Sequence, residues 1–163
     1  MKTLLTPPKA ALGPATLHDV PAMADLINHY AALGRMLPRD VADLYRIFRE
    51  YVVVTGVEGQ VLACGGIRVY NPELAEICGL AVSEEARGSG YGGAIVEALI
   101  QEAKTIGIRR TFVMTLEEDF FKRMGFTPIP RFNLPEKMES DCRGCSRRVG
   151  CQEIAMIRTI VHD

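Results

Sequence analysis

The sequence predicts a single domain of the α+β (mixed α/β) class, a central sheet with flanking helices, and three observations carry that reading. Two stretches of helical periodicity come first, a β-branched hairpin follows them, and a third strand runs through a glycine-rich loop into another helix. The chain has 163 residues, the length of one compact domain at roughly 100–200 residues each, so 1–163 is read as one domain with residues 1–10 as a tail. Lys and Arg total 19 against 20 for Asp and Glu, which gives no bulk electrostatic ground for a nucleic-acid or anionic-membrane partner. The most apolar stretches, such as Tyr51 to Val57, fall far short of the ~20 residues that span a bilayer. Pro7-Pro8-Lys9 interrupts the apolar Leu4-Leu5 before an export signal could develop. The 5 cysteines are an odd number in a chain of this size, which favours reduced thiols and a cytoplasmic location.

Thr6 to Pro14 reads as a tail entering a first short strand. Asp19 is a good helix N-cap, Pro21 suits a first turn, and Val20, Met23, Ile27 and Tyr30 keep helical spacing until Gly34. Asp40 then caps a second run in which Val41, Leu44, Phe48 and Tyr51 recur every three or four residues. Tyr51 to Val57 and Gln60 to Tyr70, parted by Glu58-Gly59, predict an antiparallel hairpin. Leu74 to Val82 is the next strand, and Gly79 within it predicts a bulge or a close backbone approach. The polar stretch from Ser83 to Gly93 leads to a helix from Ala94 to Ile106. A strand over Ile108–Leu116, a short helix over Glu117–Met124, a strand over Gly125–Arg131, a long loop over 132–152 and a last strand over Glu153–Val161 complete the chain.

The glycine loop, Arg87-Gly88-Ser89-Gly90-Tyr91-Gly92-Gly93, can be parsed in two ways. As Gly88-x-Gly90-x-x-Gly93 between strand and helix it matches a dinucleotide fingerprint, but an antiparallel hairpin precedes it and only about 70 residues follow, too few for a second mononucleotide half. As Arg87-x-x-Gly90-x-Gly92 it resembles the pyrophosphate-binding motif of the GNAT superfamily of acetyl-CoA-dependent N-acetyltransferases. In either case glycines let backbone N–H groups face an anion at a helix N-terminus, and Arg87 adds a cation. A glycine-rich turn without ligand is the bland alternative. Leu74-Ala75-Glu76-Ile77, Leu80-Ala81-Val82, the loop, and Phe120-Phe121-Lys122-Arg123-Met124-Gly125-Phe126 resemble successive GNAT segments in order and spacing. The resemblance implies a mixed, mostly antiparallel sheet whose fourth and fifth strands splay apart. It places the pantetheine of acetyl-CoA between them, on backbone near Leu80, Ala81 and Val82, and the pyrophosphate on Arg87, Gly88, Ser89, Gly90, Tyr91, Gly92 and Gly93.

Acetyl transfer to an amine needs a deprotonated amine, a donor to the tetrahedral oxyanion and a proton for the departing thiolate. Glu76 stands where some GNAT members, histone acetyltransferases among them, carry a general-base glutamate; a solvated or salt-bridged glutamate that only orients the acceptor is the other reading. The resemblance gives the oxyanion to a backbone N–H near Leu80. Many members place a tyrosine general acid four residues before the glycine of the Gly-Phe pair, and this chain has Phe121 there, which leaves the thiolate to water or to its own stability at a thiol pKa near ~8.5. Phe120 and Phe121 read mainly as core or cofactor-packing residues.

A closer resemblance is to the short N-acetylglutamate synthases that lack an amino-acid-kinase domain. Leu37-Pro38-Arg39, Ala75-Glu76-Ile77, the Phe-Phe pair and Leu134-Pro135-Glu136-Lys137 carry it. It implies L-glutamate as acceptor, a first step of arginine biosynthesis, and contact between Arg39 and the acceptor carboxylate, for which a planar guanidinium is suited. Arg131 and Lys137 are further acceptor candidates, with ordinary solvated charges as their alternative. Glutamine, another amino acid, a polyamine or a protein lysine remains open as acceptor, as does a non-catalytic module that senses acetyl-CoA, redox state or metal. Cys142-x-x-Cys145 with Cys151 has the spacing of metal-binding thiolates but lacks a fourth cysteine, so free thiols are favoured over a metal site or a redox pair, and no metal is expected. A small-molecule partner, no nucleic acid, no membrane and a homodimer complete the expectations.

Overall fold

The computed structural model describes residues 10–134 and 152–162. In chain order the elements are β1 (Ala11–Pro14), α1 (Val20–Ala32), α2 (Val41–Ile47), β2 (Tyr51–Thr55), β3 (Val61–Asn71), β4 (Leu74–Val82), α3 (Tyr91–Thr105), β5 (Arg110–Thr115), α4 (Glu118–Arg123), β6 (Thr127–Ile129) and β7 (Ile154–Thr159). The strands form one 7-stranded sheet in the order β1-β2-β3-β4-β5-β7-β6. Its β1–β2, β5–β7 and β6–β7 ladders are antiparallel and its β4–β5 ladder is parallel, so the mixed, mostly antiparallel sheet with flanking helices is present. Two compact units divide the chain, one made of the residues up to Gly65 with Gly79–Ile95, the other of Gly66–Cys78 with the residues from Val96 on.

In the first unit, Val20, Met23, Ile27 and Tyr30 form the buried stripe of α1 that their spacing predicts. They pack with Leu44, Tyr51, Val53, Cys64 and Ala81. Asp19 holds the N-cap position, but its carboxylate is used one turn earlier, accepting from the Thr16 N–H at 2.8 Å and the Thr16 hydroxyl at 2.9 Å. Asp40 caps α2 as expected, accepting from Ala42 N–H. The second helix is shorter than its periodicity predicts. It ends at Ile47, a single 3-10 turn spans Phe48–Glu50, and Tyr51 opens β2. The β-branched run after Tyr51 pairs with β1, from Pro14↔Val52 to Ala11↔Thr55, and that pairing overrides the helical spacing. β2 and β3 are sheet neighbours, and their turn closes with Gly56 N–H donating to Gln60 C=O at 2.8 Å.

In the second unit, Leu74, Phe112, Leu134 and Ala155 form the core, with Tyr70 tilted on Phe112 at 5.6 Å. The β4–β5 ladder is short: it covers Leu74↔Arg110, Ala75↔Thr111 and Glu76↔Phe112 and ends there. β5 keeps its antiparallel pairing with β7 as far as Thr115↔Ile154. Such an early end is what splayed strands require. The strand predicted over Gly125–Arg131 is only Thr127–Ile129, followed by a 3-10 turn over Arg131–Asn133. Pro128 lies inside it and Pro130 directly follows it, and a residue without an N–H shortens any ladder it enters. β5, α4 and β7 are likewise trimmed by one or two residues at their ends.

Candidate active site

β4 supplies the centre of the site. Leu74, Ala75, Glu76 and Ile77 are all buried, and Glu76 is only 3% exposed. That burial excludes the solvated-glutamate reading, because a carboxylate is taken into a sheet interior only at a cost that local interactions must offset. Past Glu76 the strand reaches Gly79, whose φ of +61° is open to glycine and costly to other residues. A Cβ there would lie 2.9 Å from Tyr51 Cε1 and closer still to the Tyr51 hydroxyl. The predicted close approach is therefore the Tyr51 ring, itself 1% exposed. Cys64 Sγ donates to the Gly79 carbonyl at 3.5 Å from the neighbouring strand. Leu80, Ala81 and Val82 continue β4 in half-buried, buried and half-buried positions.

After β4 the chain makes a 3-10 turn over Glu84–Ala86, and Gly88 and Gly90 take φ values of +79° and +81°. α3 then starts at Tyr91, three residues earlier than the spacing predicts. Tyr91, Gly92 and Gly93 thus form its first turn instead of the end of the loop, a place where glycine is tolerated because the N–H groups have no intrahelical partner. The first helical bond runs from Ala94 N–H to Gly90 C=O at 3.1 Å. The amides of Gly90, Tyr91, Gly92 and Gly93 precede it, four successive donors at the positive end of a 15-residue helix. This is the arrangement that holds a pyrophosphate, with Ser89 and Arg87 on the exposed approach to it.

Two further side chains organise this unit, and neither was singled out by sequence reasoning. The Tyr30 hydroxyl donates to Val82 C=O, and the Arg87 guanidinium lies 5.5 Å from the centre of the Tyr30 ring. Tyr30 thereby ties α1 to the strand end and to the phosphate loop; its apolar spacing was visible, its hydroxyl bond was not. We expect Tyr30→Phe to weaken that tie by about 1 kcal/mol, raising the acetyl-CoA KM roughly fivefold and leaving the acceptor KM unchanged in steady-state kinetics. Asn28 makes the second link: its Nδ2 donates to Arg39 C=O at 2.8 Å and its Oδ1 accepts from Arg39 N–H at 2.9 Å. The Arg39 guanidinium itself has no partner among the described residues.

The other unit holds Glu76, Phe121 and Arg131. Phe121 is 5% exposed and packs edge-on against Phe120 at 4.9 Å and Phe126 at 5.3 Å, which is core packing. Arg131 Nη2 donates to Glu153 C=O, tying the turn after β6 to the approach to β7. Thr115, buried at the end of β5, accepts from Glu117 N–H at 2.8 Å and steadies the entry to α4. Lys137, Cys142, Cys145 and Cys151 lie outside the described residues. Among the described residues no group of three or more His, Cys, Asp or Glu is placed to hold a metal ion. No helix among them is long and apolar enough to cross a membrane.

The family model of the acetyltransferase (GNAT) family matches residues 22–126, well over half of the chain. The chain belongs to the GNAT acetyltransferase family. Its co-substrate is acetyl-CoA, and the donors at Gly90–Gly93 fit the pyrophosphate of that group. An uncharacterized N-acetyltransferase of Chlorobaculum tepidum is 39% identical over 146 residues, 90% of this chain and 94% of its own length. The amino-acid acetyltransferase of Mycobacterium tuberculosis is 38% identical over 118 residues, 71% of this chain and 67% of its own. Among solved structures, the N-acetylglutamate synthase of Neisseria gonorrhoeae in complex with coenzyme A and N-acetyl-glutamate superposes with a TM-score of 0.85 at 25% identity. The match covers 95% of this chain and 36% of that one.

Proposed function

We propose that this GNAT acetyltransferase acetylates the α-amine of an amino acid, L-glutamate foremost, by direct attack in a ternary complex. The observation that carries the acceptor class is Arg39: its backbone is held on both sides by Asn28 while its guanidinium has no partner among the described residues. A cation on a held backbone, with no counterion among the described residues, is suited to binding a carboxylate bidentately. The relatives named amino-acid acetyltransferases support the same acceptor class.

In this reading Glu76 takes the proton from the acceptor ammonium, directly or through one water. The Leu80 N–H faces the oxyanion, and the amides of Gly90 to Gly93 with Arg87 hold the pyrophosphate. Bound there, acetyl-CoA supplies an acetyl thioester whose leaving group is a thiolate. With phenylalanine at position 121, that thiolate relies on water for its proton, which its ordinary pKa near ~8.5 permits. With glutamate as acceptor the enzyme performs a first step of arginine biosynthesis, in the cytoplasm and as a homodimer.

Mass-spectrometric detection of acetylated product, after incubation with acetyl-CoA and a mixture of L-amino acids, tests the reading. Acetyl-glutamate as the dominant product is expected. Acetyl-CoA binding without any acetylated amino acid would refute it and favour a polyamine or protein acceptor, or a sensor. Arg39→Ala removes a charge-assisted pair worth roughly 1.5–3 kcal/mol. It should raise the acceptor KM by roughly ten- to a hundredfold and leave the acetyl-CoA KM unchanged; equal effects on both constants would contradict carboxylate binding.

A further inference from the structure

Arg39 lies in the connection between α1 and α2. Backbone bonds from Leu33, Gly34 and Arg35 N–H back to Tyr30 and Ala31 extend α1 into this connection. At Arg39 the chain is held by a side chain eleven positions away: the Asn28 amide bonds both the N–H and the C=O of this one residue, at 2.9 and 2.8 Å. A primary amide has the acceptor and the donors needed to imitate a neighbouring strand. Because the two bonds engage the peptide on each side of the Arg39 Cα, they fix both the position of that carbon and the direction in which its side chain leaves. Asparagine is a poor helix former compared with alanine or leucine, so its place near the end of α1 is better accounted for by this clamp than by the helix.

We infer that Asn28 is the positioning residue of the acceptor pocket, setting where the Arg39 guanidinium meets the acceptor carboxylate; this rests on the reading that Arg39 binds that carboxylate. A long arginine side chain loses rotamer freedom when it binds. A fixed backbone origin restricts the places its fork can reach and lowers the cost of ordering it on the ligand. Releasing the clamp lets Arg39 drift, and a misplacement on the order of 1 Å is enough to weaken a productive complex substantially. The acetyl-CoA elements of the same unit, Val82 and Arg87, are held by Tyr30 and do not pass through this clamp.

The test is steady-state kinetics on Asn28→Ala, Asn28→Asp, Arg39→Ala and the Asn28→Ala/Arg39→Ala double variant. The varied acceptor is L-glutamate, or whichever amino acid the mixture assay shows acetylated. Asn28→Ala should raise the acceptor KM on the order of tenfold with the acetyl-CoA KM within about twofold of wild type. Asn28→Asp keeps an oxygen for the Arg39 N–H but sets a second acceptor oxygen against its C=O, so it should break the clamp with an equally acceptor-selective effect; it also carries the test if the alanine variant does not fold. In the Arg39→Ala background the Asn28 substitution should add less than about twofold, because the residue it positions is gone. The inference is overturned by an unchanged acceptor KM, by both constants rising together, or by a full Asn28 effect persisting without the Arg39 side chain. An Arg39→Ala variant with unchanged acceptor KM would instead overturn the carboxylate reading itself, a distinguishable failure.

Discussion

Glu76→Gln should lower kcat by about 10²- to 10⁴-fold, the range of general acid–base contributions, with both KM values little changed. Glutamine keeps the volume and one acceptor oxygen of a side chain that is 3% exposed, so packing on β4 is largely preserved and the change isolates the ability to take a proton. The pH dependence separates the two roles left to Glu76. As a base, it supplies free amine at pH values where the acceptor in solution is an ammonium ion. Its loss is then most damaging at low pH and shrinks as rising pH supplies the free amine without help. A residue that only orients the acceptor would cost the same factor at every pH, and a flat ratio of wild-type to variant rates would remove the base role.

How far the sequence alone reaches can be argued from β4 and its surroundings. The bounds of that strand and the need for a glycine within it were legible, because Leu74 to Val82 is β-prone and glycine weakens a strand without a backbone reason. The reason was not legible: Tyr51 was read both as the last apolar position of a helix and as the start of a strand, and neither reading shows that its ring reaches Gly79. The burial of Glu76 was equally hidden. Leu74 to Ile77 are all buried, so this stretch lacks the inside–outside alternation that would tell an interior carboxylate from a surface one. In the phosphate loop the residue types announced the site, while the start of α3 at Tyr91 was missed because Gly92 and Gly93 read as loop. Arg39 was found through resemblance. The amide that holds it lies eleven positions earlier, on a helix whose apolar stripe gave no sign of it, and side-chain-to-backbone bonds of that kind leave no periodic trace. Arg131 shows the converse, since a charge proposed for the acceptor is engaged with the Glu153 carbonyl.

Gly79→Ala should destabilise the protein by roughly 2–5 kcal/mol, the combined cost of a left-handed backbone for a residue with a Cβ, about 1–2 kcal/mol, and of overpacking a buried site, about 1–3 kcal/mol. The added methyl would stand 2.9 Å from Tyr51 Cε1 and 3.0 Å from Cζ, against a ring that is 1% exposed. Relief by moving that ring is resisted by its neighbours in the core, Ile27, Leu44, Val53 and Cys64 among them. Relief by moving β4 would displace Leu80, whose N–H is assigned to the oxyanion, so whatever fraction folds should also turn over slowly. The two costs can be separated by Tyr51→Phe. Removing the hydroxyl takes away the closest obstacle but leaves the φ of +61° untouched, so the double variant should recover about half of the lost stability in denaturant melts. Full recovery would mean that the clash is the whole effect. No recovery would mean that the hydroxyl contact is incidental and that the ring carbons, still about as close in phenylalanine, and the strand conformation together demand glycine.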